Sequence, residues 1–211
     1  MVYGEWEGST KNIQPFFTAT YSAFETRPLL ELNLSDTVKF VFVGTLSSGK
    51  NPLYAIQLIE ILYKKGYKVS LDIYGEGVER SVLKHYLHSN GLGHCIALLG
   101  NQKSDTLKKA YQNSHFVLLP SESEGWPKAI AEGMFWGCVP IATPVSCVPF
   151  MLGYGDRGVL LEKQLEKDIG QIVALLKDEK IFFYKREKAA LWSRKYTLDV
   201  FEKEIKKILI P

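Results

Sequence analysis

Cysteine is scarce in this sequence: Cys95, Cys138 and Cys147 are the three in 211 residues, with no CxxC pair and an odd total. A disulfide framework is therefore not the source of stability, and Cys95 and Cys138 read as small core residues with Cys147 in a loop. An excess of one charge is lacking too. The 26 basic and 23 acidic residues leave a net charge of +3, too nearly balanced for a nucleic-acid binder, although the last third is locally basic. No apolar run approaches the ~20 residues that a membrane span needs. The amino terminus, MVYGEWEGSTK, has no basic region followed by an apolar one, so a cytoplasmic location is the expectation. No Asp-x-Asp occurs to hold a metal-bound diphosphate, and His85 and His88, three apart on a helical segment, have no acidic or cysteine partner at a useful spacing. No metal and no cofactor are expected.

What is present is a regular alternation of strand and helix patterns within a chain that is 46% apolar. Residues 1–36 have no sustained period and read as a connecting segment, with the boundary near Asp36 and one domain over 37–211. VKFVFVG (38–44), KVSLDIYG (68–75), CIALLG (95–100), HFVLLP (115–120), VPIA (139–142) and GVLLE (158–162) read as strands. Helices are expected between them: from the Asn51-Pro52 cap to about Lys65 before Gly66, over 78–90 before Gly91, over 104–113 opened by Ser104, and over 127–136. Strands alternating with helices of this length imply right-handed crossovers and an α/β Rossmann-like parallel sheet of about six strands, with helices on both faces. Three further helices, 165–177, 180–194 and 198–209, follow in succession. The last is opened by Thr197 and carries an apolar stripe of Val200, Phe201, Ile205, Ile208 and Leu209 that wants a partner surface. Its Lys203, Lys206 and Lys207 suit either a solvated face or a peripheral contact with an anionic membrane at its inner face.

Two glycine motifs invite a nucleotide reading. GTLSSGKN (44–51) fits G-x-x-x-x-G-K, but Asn51 stands where a P-loop needs a hydroxyl for magnesium and Pro52 has no amide hydrogen. What survives is a glycine turn entering a helix amino terminus, with Lys50 able to reach an anion. GYGDRG (153–158) has the form G-x-G-x-x-G but precedes a strand instead of a helix, and reads as a turn.

The most informative stretch is SESEGWPKAIAEGMFWGCVPIA (121–142), which sets Glu124 and Glu132 seven residues apart on a loop that runs into a helix. Carboxylates accept hydrogen bonds from hydroxyls, and sugars and riboses are surfaces made of hydroxyls. Gly125 and Pro127 make a tight strand-to-helix turn where parallel sheets bind ligands.

Over about residues 38–210 the chain resembles the carboxy-terminal, donor-binding half of a retaining group 1 glycosyltransferase of the GT-B fold. The landmarks, in order, are GTLSSGKN (44–51), GEG (75–77), Gly100, and PSESEGWPKAIAEGMFWGCVP (120–140). The resemblance implies that Glu124 contacts the transferred sugar, Glu132 the ribose, and Lys50 the diphosphate. It implies that Gly44, Thr45, Gly75, Gly125, Trp126, Pro127 and Lys128 surround the donor while Gly100, Asn101 and Gln102 border the base. Thr45 stands where the family has arginine, removing one cation. Trp126 and Pro127 replace Phe-Gly, removing an amide donor and reshaping the sugar pocket, and SCVPF (146–150) lacks the family's carboxylate at Phe150.

The donor implied is a UDP- or GDP-sugar, and the reaction is transfer of a hexose to a glycan or lipid-linked acceptor in polysaccharide synthesis. Enzymes of this fold take the acceptor on an amino-terminal domain of similar size. The chain is thus expected to be a fragment that binds donor yet transfers little. A non-catalytic nucleotide-sugar-binding subunit and a sugar-nucleotide epimerase of related fold are the alternative readings; scarce arginine in the loops argues against the second.

Overall fold

The computed structural model describes residues 2–3 and 15–209. Most of the expected connecting segment before Pro15 therefore lies outside the described residues. Six parallel strands, β1 (Val38–Val43), β2 (Val69–Tyr74), β3 (Ile96–Gly100), β4 (Phe116–Leu119), β5 (Val139–Ala142) and β6 (Val159–Leu160), form one sheet in the order 3-2-1-4-5-6. Every residue of β4 and β5 is buried, as a central parallel strand covered on both faces requires. Phe40 of β1 stacks on Phe116 of β4 with ring centroids 4.8 Å apart, locking the centre of the sheet.

Helices α1 (Pro52–Lys64), α2 (Arg80–Ser89), α3 (Ser104–Gln112) and α4 (Lys128–Trp136) connect β1 to β5, and the short α5 (Val148–Met151) leads towards β6. Strand order reverses between β1 and β4, so the right-handed crossovers carrying α1 and α4 run in opposite directions and set those helices on opposite faces. Asn51 adopts a left-handed conformation, φ 52°, and its side chain accepts from the Tyr54 N–H, so the expected cap of α1 forms. Ser104 is the first residue of α3 rather than its cap; Lys103 holds that position without a side-chain bond. GYGDRG is a turn, with one 3-10 turn over Gly153–Gly155 before β6. Gly133 lets α4 lie directly on β4, where an added Cβ would come within 2.6 Å of Val117.

Three helices complete the domain: α6 (Leu165–Lys177), α7 (Glu179–Ser193) and α8 (Leu198–Leu209). Asp168 of α6 is fully buried and accepts from the Tyr54 hydroxyl at 2.5 Å and the Glu162 N–H at 2.8 Å, tying α6 to α1. The apolar stripe of α8 finds part of its surface in Phe201, which packs edge-on to Phe16 and Phe17 at 5.3 and 5.9 Å. Val200, Ile208 and Leu209 stay exposed, and Lys206 and Lys207 pair with glutamates of the same helix. Among the described residues no helix is long and apolar enough to cross a membrane.

Residues 17–36 follow no period, yet they are pinned along the domain. Arg186 donates to the carbonyls of Leu30 and Gly137, Arg194 to that of Arg27, and the Leu198 N–H to that of Tyr21. His115 accepts from the Lys39 N–H and meets the Asn33 carbonyl; burial pushes its imidazole down to about 4, so it sits there neutral. The break in pattern near Asp36 marks where alternation starts, and packed chain already precedes it.

One glycine fixes how closely the first two loops approach. Gly75 has φ 139°, and a Cβ there would fall 1.9 Å from the Gly44 carbonyl oxygen. Gly75→Ala is expected to lower unfolding stability by about 2 to 3 kcal/mol, through both the clash and the backbone conformation. Urea unfolding measures this, and an unchanged midpoint contradicts the close approach.

Candidate functional site

The reversal of strand order opens a crevice outside the carboxyl ends of β1 and β4, the place where open α/β sheets take ligands. Two loops line it, 44–51 after β1 and 120–127 after β4. They are joined by the Glu122 N–H donating to the Gly49 carbonyl at 2.8 Å. Beyond that bond the Lys50 ammonium meets the Glu124 carboxylate at 2.5 Å, with the Glu124 side chain 6% exposed and that of Lys50 31%. The two residues read from separate motifs thus face each other at the switch point. Two surrounding glycines explain themselves by contact: Gly75 lies against Gly44, and a Cβ on Gly100 would come within 2.7 Å of the Glu76 carboxylate.

The 120–127 loop is also held from its other side. The Thr143 hydroxyl donates to the Ser121 carbonyl, the Ser146 hydroxyl to the Glu124 carbonyl, and the Cys147 thiol to the Gly125 carbonyl at 3.0 Å. Cys147 is buried, and desolvation, with the nearby Glu124 charge, raises its thiol to about 11, so it stays a protonated donor at neutral pH. Pro127 occupies the cap position of α4, whose first turn carries no acidic residue and no side-chain cap. That leaves the positive end of a nine-residue helix directed at the crevice. Lys128 is exposed there.

The ring of Trp126, expected to reshape the sugar pocket, is buried in an aromatic cluster with Phe17, Trp192 and Tyr196, at centroid distances of 6.1, 6.1 and 5.4 Å. Phe150 joins the same cluster edge-on to Trp192 at 5.6 Å. Only the Trp126 backbone belongs to the loop.

Glu132, one helical stretch further on, does not share the Lys50–Glu124 contact. Its carboxylate accepts from the Thr20 hydroxyl at 2.7 Å and from the Tyr111 hydroxyl at 3.1 Å. A carboxylate has about four acceptor positions, so these bonds leave capacity for another hydroxyl. Burial raises the Glu132 carboxyl above its ordinary range, opposed by the Thr20 and Tyr111 hydrogen bonds and the charge of Lys128. Thr45, Asn101 and Gln102 stay exposed, and Gln102 donates to the Leu99 carbonyl at 2.9 Å. His85 and His88 lie exposed on α2.

Thr20, Tyr111, Thr143 and Ser146 were not singled out from the sequence. The pattern SCVPF pointed at Ser146 only as part of a loop. Thr20 lay in a segment without a period, and nothing in the helical pattern of α3 separates Tyr111 from its neighbours.

Comparison with known proteins gives a family match over residues 31–194, to "Glycosyl transferases group 1". A capsular polysaccharide biosynthesis glycosyltransferase of Staphylococcus aureus is 30% identical over 59% of this chain and 36% of its own length. The GtfA subunit of a UDP-N-acetylglucosamine–peptide N-acetylglucosaminyltransferase of Streptococcus parasanguinis is 29% identical over 69% of this chain and 28% of its own. Among solved structures, the C-terminal domain of a group 1 family glycosyl transferase from Francisella tularensis superposes with a TM-score of 0.68 at 19% identity, covering 87% of this chain and 96% of that one. The chain spans about half or less of the curated relatives it matches.

The environment of Glu132 has a measurable sign. Because its folded carboxyl is raised, the stability it contributes is full below the unfolded carboxylate range and is lost as pH rises through the folded value. Glu132→Gln is therefore expected to raise the thermal midpoint at pH 7, with the gain shrinking as pH falls through the carboxylate range. A gain that grows on acidification contradicts the assignment.

Proposed function

The chain belongs to the group 1 glycosyltransferases, of GT-B fold, and we propose on that premise that it binds the nucleotide-diphosphate sugar for such a transferase. The single observation carrying this reading is the Lys50–Glu124 pair at the switch point, facing the amino-terminal end of α4. In the chain alone the carboxylate holds the cation where a diphosphate is to arrive. With donor present, Lys50 turns to the phosphate oxygens and Glu124 is released to accept from sugar hydroxyls. The backbone of Gly125 and Pro127, together with Lys128, borders the phosphates. Glu132 takes the ribose hydroxyls with its remaining acceptor positions, and the backbone of Gly100, Asn101 and Gln102 borders the base.

The chemistry follows from where charge develops. Breaking the bond between sugar and diphosphate leaves negative charge on the departing phosphate, so a fixed cation and a helix terminus aimed there stabilise the transition state more than the ground state. These groups neutralise the diphosphate without a metal ion. The whole protein's reaction is transfer of a hexose, with retention, to a glycan or lipid-linked acceptor. That acceptor is held by the part of such enzymes that this chain does not span. The name of the Staphylococcus aureus relative supports a polysaccharide product, and that of the Streptococcus parasanguinis relative supports a UDP-sugar donor.

Calorimetry with a panel of UDP- and GDP-sugars and the bare nucleotides tests this. Glu124→Ala is expected to weaken a sugar nucleotide more than the bare diphosphate, and equal losses refute its sugar-facing role. Lys50→Gln keeps a donor for Glu124 but removes the charge. It is expected to weaken every diphosphate ligand by about 10- to 100-fold, the range of a charged hydrogen bond. Unchanged affinity, or no nucleotide binding at all by the unaltered chain, overturns the reading.

A further inference from the structure

Glu124 is held at both ends by different loops. Its carboxylate reaches Lys50 in the loop after β1, while its backbone carbonyl is taken by the Ser146 hydroxyl in the loop after β5. The next carbonyl, of Gly125, is taken by the Cys147 thiol. A trans peptide is planar with its C=O and N–H opposed, so a grip on each carbonyl aims the following N–H away from the gripping loop. The neighbouring peptide displays the geometry in full: Thr143 holds the Ser121 carbonyl, and the Glu122 N–H of the same peptide donates to Gly49 across the crevice.

Ser146 makes its bond from an unusual backbone. Its φ is 48°, in the left-handed region that favours glycine. A glycine would sit there with less strain but would have no hydroxyl to offer. Ser146 is exposed and serves no core packing, and Cys147 belongs to the buried core, with its sulfur 3.8 Å from that of Met151, yet packing alone does not require its thiol to be aimed at a carbonyl.

We infer that Ser146 and Cys147 are positioning residues, whose side chains fix the peptide planes over 124–126 and thereby present the Glu124 carboxylate and the loop amides to the sugar and diphosphate of the donor. The inference deepens the donor-binding reading above and rests on it for its ligand. Ser146 sets the plane of the Glu124–Gly125 peptide, and Cys147 sets that of the Gly125–Trp126 peptide. Neither side chain touches the donor.

The test separates the grip from the ligand. In the full chain, Ser146→Gly and Cys147→Ala are each expected to speed hydrogen exchange of the Glu122 amide, which donates to Gly49 from the gripped loop, by about tenfold, the effect of weakening one hydrogen bond. The thermal midpoint of Ser146→Gly is expected to stay level or rise, because glycine suits φ 48°. Affinity for UDP-glucose or UDP-N-acetylglucosamine is expected to fall by a similar factor while UDP itself is affected less. Cys147→Ser, which restores a donor at that position, is expected to recover both readouts.

Unchanged exchange of the Glu122 amide overturns the inference. Exchange that accelerates across the whole domain together with a lowered midpoint also overturns it, in favour of a purely structural role. If the unaltered chain binds neither UDP-sugar, the donor reading and the ligand half of the inference fall together. The exchange rates then decide the grip on their own.

Discussion

The hydrogen bond from the Glu122 N–H to the Gly49 carbonyl joins the two loops on either side of the switch point, and the rest of the site depends on it. Strand order reverses between β1 and β4, so these loops emerge from adjacent strands but lead to helices on opposite faces. Without a bond across the gap they would diverge. With it, a cation from one loop and a carboxylate from the other are brought to 2.5 Å, and the amino terminus of α4 is directed at the same space. The glycines serve this approach from beneath: Gly75 admits the Gly44 carbonyl, and Gly77 admits that of Leu46, where a Cβ would come within 2.3 Å.

Much of this was legible because local chemistry decides it. The Asn51-Pro52 pair starts α1 where expected, and α6 and α8 run over the residues that their apolar spacing marks. The last strand is shorter than its sequence implies, since an apolar run such as GVLLE cannot report that Val159 and Leu160 alone of its residues find a ladder partner. Lys50 and Glu124 could be picked out because each sits in a recognisable strand-to-helix turn. Their meeting could not, because it depends on which strands are neighbours. Thr20 is 112 residues from the Glu132 it donates to, and no spacing rule reaches that far. The surroundings of the Trp126 ring are out of reach of local patterns for the same reason, because the aromatics around it come from α7 and from the segment before β1.

The site holds several groups in states that a stability-driven sequence would avoid. Glu132 carries a carboxylate into surroundings that disfavour its charge, and Ser146 holds a left-handed backbone without being glycine. Asn51 shares that conformation, but its side chain caps α1 and offsets part of the strain. The close-packed sheet centre around Phe40 and Phe116 supplies stability against which such conflicts can be set.

The buried stack of Trp126 on Trp192, with rings 6.1 Å apart and inclined by 23°, has an optical consequence. Two indoles at that separation couple their electronic transitions, and the sign and strength of the resulting near-ultraviolet circular dichroism depend on their mutual angle. Trp126 follows Glu124 by two positions, whereas Trp192 is anchored on α7, under Arg157 at 4.9 Å. A rotation of the 124–126 backbone therefore turns one chromophore against a fixed reference, and the chain reports the posture of its own loop without a label.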